Sequence, residues 1–125
     1  MRSPEAYRTY IRSSRGELSV AKSGYVVGRS GWFSCRSACY LACGRPVIVQ
    51  DTGFSPSPPM GLGVLGFDSP DGALAAIEDV VAHYDRHARA AREIAVEYFD
   101  AARVLGALLE ETLGTGPRPT VGADA

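Results

Sequence analysis

The residues best able to do chemistry lie between Gly24 and Gly53, in the run GYVVGRSGWFSCRSACYLACGRPVIVQDTG. Its turn, Gly28-Arg29-Ser30-Gly31, leads into small and apolar residues from Trp32 to Cys43 that read as a helix closed by Gly44. A helix starting there offers unpaired N–H groups and the positive end of its dipole, which together favour an anion. On that reading Ser30, Gly31, Trp32, Phe33 and Ser34 hold a diphosphate through N–H and hydroxyl groups, and Arg29 or Arg36 adds charge. The same residues also fit an ordinary N-cap with Trp32 and Phe33 as core anchors. Asp51, Thr52 and Gly53 follow the strongest strand signal, Val47-Ile48-Val49. There they can meet a ligand hydroxyl, or they can close the strand with an Asx or ST turn.

Three other groups of residues invite a chemical reading. Glu17 is one of few acids in the first third; it can contact a ligand, be solvated, or pair with Lys22 or an arginine. Cys35, Cys39 and Cys43 recur every fourth position, too far apart along a helix for an easy disulfide and without the partners of a zinc site. They are expected as small packed residues on one helical face. His83 and His87 have the spacing of a helical metal pair, but DRHARAARE reads as a solvated helix face, so no metal is expected. No nucleophile, base and orienting residue come together in the sequence.

Stepping out from these residues, 125 positions suffice for one compact domain and not for two. A hydrophobic content of 46% fits a soluble globular chain, and a net charge of −1 gives no electrostatic reason to expect nucleic acid. Nothing approaches a membrane span, the first residues lack the apolar core of a secretory signal, and the odd cysteine count does not suit a secreted disulfide framework. A cytoplasmic location follows as the expectation.

Ser3-Pro4-Glu5 predicts a helix over about 4–13, and Ser69-Pro70-Asp71 another over about 70–83. Glu17–Ala21 reads as a short strand, or as continued helix, with Leu18 and Val20 on one side; Tyr25-Val26-Val27 is too short to assign. The prolines at 56, 58 and 59 make a surface loop, and residues 62–67 read as a glycine-diluted strand. Helices are expected over about 85–99 and from Asp100 onward. The alternation of strand and helix, followed by helices, predicts an α/β fold: a partial Rossmann-like three-layer α/β/α domain with a parallel sheet and a packed helical C-terminus over 1–113. Residues 114–125 read as a disordered tail.

Four motifs then occur in order: Gly31-Trp32-Phe33, Leu41-Ala42-Cys43-Gly44, Pro46-Val47-Ile48 and Asp51-Thr52-Gly53. With their flanks they resemble the C-terminal, nucleotide-sugar-binding half of a GT-B glycosyltransferase. The resemblance is closer to a subgroup of glycosyltransferase-like proteins that carry runs such as EL-VAK-GYV, SGWFS-RSACYLA-GRPV and VQDTGF, and it covers about residues 5–110. It implies a nucleotide-sugar donor as substrate, no further cofactor, and glycosyl transfer to an acceptor held by an N-terminal domain.

Two departures go with the resemblance. Where many retaining GT-B enzymes carry two glutamates, alignment at Ala42-Cys43-Gly44 puts Gly31 and Cys39, neither of which accepts a hydroxyl hydrogen bond as a carboxylate does. The chain also holds no acceptor domain and lacks the first strands of a donor domain, so it supplies at most one wall of a reaction site. The alternative is a non-catalytic, truncated module that acts as a partner or regulatory domain through an exposed sheet edge, by self-association or docking to another chain. A third reading, an unrelated small α/β binding protein, requires a complete sheet with its own switch point.

Overall fold

The computed structural model describes residues 3–114, so the expected tail lies outside the described residues apart from Gly114. Local signals set most of the helices. Ser3 accepts the Ala6 N–H (3.1 Å) with Pro4 in the first turn, which starts helix α1 (Pro4–Ser13). Ser69 does the same for Gly72 (3.1 Å), starting α4 (Pro70–Ala82), and Asp100 accepts the Arg103 N–H (3.1 Å). Strand β1 (Glu17–Ser19) follows α1, then a short helix α2 (Ser23–Val27) over the segment left unassigned above. Helix α3 (Cys35–Ala42) leads to β2 (Val47–Gln50) and β3 (Val64–Phe67). After α4 come α5 (Tyr84–Tyr98) and α6 (Ala101–Leu113).

The three strands form one parallel sheet in the order β1-β2-β3. β2 is central and, as its unbroken apolar run predicts, buried on both faces. Val47, Val49 and Val64 pack with Ile11, Tyr40, Leu41 and Ile94 from α1, α3 and α5, while Ile48 and Leu65 face Ala76 and Val80 of α4. Two helical layers therefore enclose the sheet, which is the partial Rossmann-like α/β/α arrangement. The strand order does not reverse, so the described residues contain no switch point of their own.

One buried polar link joins three elements on the side of β3. His87, fully buried, accepts the Gly63 N–H at Nδ1 (3.2 Å), leaving Nε2–H to donate to Asp79 Oδ2 (3.1 Å). Gly63 has φ +77, and a Cβ there would stand 2.5 Å from the Ala91 nitrogen, so only glycine lets the chain enter β3 this close to α5. The expected solvated helix face thus holds a buried ring, because α5 turns His87 inward while His83 stays exposed on the same carboxylate.

Three expectations are corrected. Of the three cysteines only Cys43, half-buried, packs against the core: α3 buries Ser37, Tyr40 and Leu41, which leaves Cys35 and Cys39 exposed. The packed face is set by which side of α3 meets α1 and α5, a tertiary choice. Nor does the last helix pack on the core, since α6 has no buried residue and exposes Leu105, Leu108 and Leu109. Finally, β1 ends at Ser19 rather than Ala21, and Leu18 and the following Val20 are exposed, because the strand is an edge whose inward residue is Glu17.

Candidate functional site

The helix of the central stretch starts later than its residues suggest. α3 begins at Cys35, with Ser34 as N-cap accepting the Arg36 N–H (3.1 Å), and the residues from Trp32 to Ser34 are not helical. The reason lies in the loop after β2. Thr52, 1% exposed, donates its hydroxyl to the Trp32 carbonyl (2.6 Å) and accepts the Gly31 N–H at its own carbonyl (2.9 Å). Those bonds hold Gly31 and Trp32 against that loop and keep the helix from starting there.

The backbone donors of the turn itself are taken up within the protein. The N–H groups of Arg29, Ser30, Gly31 and Trp32 go to the carbonyls of Val26, Tyr25 and Thr52 and to the Ser30 hydroxyl, in that order. Arg29 pairs with Asp51 (3.2 Å), whose other oxygen accepts the Gly53 N–H (2.8 Å) in an Asx turn. Arg29, Ser30, Gly31, Asp51, Thr52 and Gly53 thus form a structural brace. The backbone N–H groups expected to hold an anion at this turn are bonded within the protein, while the Arg29 side chain is 60% exposed.

A cavity of about 360 Å³ opens beside the brace, at the carboxyl ends of β1 and β2. Of the expected residues, Trp32, Phe33, Ser34 and Arg36 line it; Lys22, Tyr25 and Gln50 join them without having been singled out as ligand contacts. The signal for Lys22 and Tyr25 was present in the run VAK-GYV. Trp32 stacks on Tyr25 (centroids 4.9 Å apart, planes 18° apart) and is 46% exposed, so an aromatic pair stands at the cavity wall. Phe33 is anchored by stacking on Phe99 (5.5 Å) and by an edge contact to Phe54 (5.2 Å). Among the described residues, nothing takes up the N–H groups of Phe33, Ser34 and Cys35, which are the donors left at the start of α3.

Glu17 supplies the electrostatics of this end of the sheet. Its carboxylate is buried, accepts the Ser37 hydroxyl (2.6 Å) and binds Arg36 Nε. The Arg36 Nη2 group donates to Ser19 Oγ (3.0 Å). The Glu17 hydrogen bond, then its charge, pushes Arg36 above its ordinary value, so the guanidinium stays charged. Of the three readings of Glu17, pairing with an arginine is the one observed.

A larger cavity of about 610 Å³ lies at the other end of α3, where Arg8, Arg12 and Arg92 face Tyr7, Ile11 and Ala42. Two of these arginines serve helix ends: Arg92 donates to the Ala42 carbonyl (2.6 Å) and Arg12 sits in the last turn of α1. Desolvation, reinforced by Cys43 and Cys35, pushes the Cys39 thiol in this cavity up, away from a reactive thiolate. The smaller cavity is the candidate site because it joins cations, free backbone donors and an aromatic wall at the ends of parallel strands.

Comparison with protein-family models, with curated proteins and with solved structures finds no match to this chain. Of the motif residues that carried the expected resemblance to glycosyltransferases, Trp32 and Phe33 line the cavity and Thr52 braces the turn beside it.

Proposed function

We propose that this domain binds a nucleotide-sugar donor and forms the donor half of a glycosyl-transfer system working in the cytoplasm. One observation carries the reading: a single cavity, at the carboxyl ends of two parallel strands, is lined by Lys22, Arg36 and the Trp32–Tyr25 stack beside the start of α3. Cations and helix N–H groups suit a diphosphate, and an exposed indole suits a planar base. The GT-B resemblance supports the same ligand class. The acceptor site belongs, on this reading, to an N-terminal acceptor domain or another protein chain, and no nucleic acid takes part.

Calorimetric titration with UDP, GDP and dTDP, and with their glucose derivatives, tests it. Binding by at least one, weakened about tenfold in Trp32→Ala by loss of the stack, is the expected result. A chain that binds none of them is not a donor half.

A second reading, a non-catalytic partner or regulatory module, is favoured by the open edge of the sheet. Glu17 N–H donates to the Pro46 carbonyl, so in a parallel ladder the backbone groups of the alternate residue, Leu18, point away from β2. Leu18 (57% exposed) stands with Ile77 and Val81 of α4 around an apolar cavity of about 220 Å³, and Val20 (74%) is exposed just past the end of the strand. Unpaired parallel edges with apolar rims invite strand addition. A monomer by light scattering at millimolar concentration removes self-association from this reading. Among the described residues no helix is long and apolar enough to cross a membrane.

A further inference from the structure

We infer that Glu17 is a positioning residue that fixes the Arg36 guanidinium at the rim of the cavity, so that its unclaimed N–H groups meet the phosphoryl oxygens of a diphosphate ligand. The inference rests on the donor-site reading and adds a residue that does not itself touch the ligand. The geometry is a chain of anchors. Ser37, fully buried, holds Glu17 Oε2, Glu17 Oε1 holds Arg36 Nε, and Ser19 Oγ holds Arg36 Nη2. At the backbone, Ser34 Oγ holds the Arg36 N–H (3.1 Å). What remains of the guanidinium fork is the Nη1 group and one hydrogen on Nη2.

The burial is lopsided, and that is the informative part. The Glu17 side chain is 6% exposed and that of Arg36 is 52% exposed. An arginine half in water needs no buried carboxylate for its own solvation, and burying one costs desolvation that the pair only offsets. What the arrangement provides is a guanidinium with little rotamer freedom, aimed from the second residue of α3 beside the free N–H groups of Phe33, Ser34 and Cys35. A fork held before the ligand arrives loses less entropy on binding.

A carboxylate beside a cation also cancels part of its charge, and this opposite effect makes the test decisive. Inorganic pyrophosphate and UDP are titrated into the full chain and into Glu17→Gln, Arg36→Lys and the double variant, with thermal unfolding followed in parallel. Glu17→Gln is expected to weaken both probes about tenfold, the scale of one charge-assisted hydrogen bond. Arg36→Lys, which keeps the charge and loses the fork, is expected to do the same, and the double variant to be no weaker than Arg36→Lys alone. Unchanged or tighter binding in Glu17→Gln overturns the positioning role and leaves the donor-site reading standing. Should Glu17→Gln not fold, wild-type affinity in Arg36→Lys overturns it equally. A wild-type chain that binds neither probe overturns both.

Discussion

Two polar clusters flank the residues from Gly31 to Ser34, and they treat their hydrogen-bonding groups in opposite ways. On one side the turn around Arg29 and the loop around Thr52 bond to each other until the turn's N–H groups from Arg29 to Trp32 are taken. On the other, Arg36 and Lys22 line a cavity with donors to spare, together with Phe33 and Ser34, whose N–H groups no other described residue takes up. Both clusters contain serine, arginine and a carboxylate. Residue type therefore does not separate scaffold from site; the count of bonds already made within the protein does.

That contrast can be tested by removing consumed and unconsumed groups in turn. The largest loss is expected at His87, a consumed group of the same kind as Thr52. His87→Ala leaves the Gly63 N–H without its acceptor and empties a buried ring, which should cost about 3 kcal/mol in urea unfolding. Next comes Thr52→Val, which strips the Trp32 carbonyl of its partner and should cost about 1–3 kcal/mol, with pyrophosphate affinity of the folded fraction unchanged. A change in affinity larger than in stability would place Thr52 in the site after all. The smallest loss belongs to the exposed rim of the brace: Arg29→Ala breaks an ion pair whose arginine is 60% exposed and should cost under about 1 kcal/mol, less in high salt.

Acid provides a further measure of the consumed groups. The His83 hydrogen bond, aided by His87, holds the Asp79 carboxyl below its ordinary value. The unfolded chain then takes up that proton more readily than the folded one, so the contribution is present above about pH 4 and disappears as pH falls through the folded-state value. Asp79→Asn should flatten that part of the acid unfolding curve.

How far the sequence announced this arrangement depends on the distance over which each signal acts. The caps at Ser3, Ser69 and Asp100 act within one turn of chain, and all three appear where their residue types put them. The apolar run of β2 and the three-and-four spacing of α4 and α5 are equally local, and with them the parallel α/β class was legible. The start of α3 was not, because Thr52, some twenty positions on, decides it by taking the Trp32 carbonyl. The inward turn of Glu17 and the outward turn of Cys35 and Cys39 are likewise set by what packs opposite them, which no nearby residue records. For the site, six of the ten expected residues lie in the brace, and Gln50 joined the cavity only when the ends of β1 and β2 were brought together.

The open edge of β1 carries a consequence for any partner. Ser19 and Val20, at the end of that edge, also line the cavity with Ala21 and Lys22. A strand added along β1 and a ligand entering the cavity therefore act on the same few residues. Thermodynamic linkage then requires that whatever factor the first event applies to the affinity of the second, the second returns to the first.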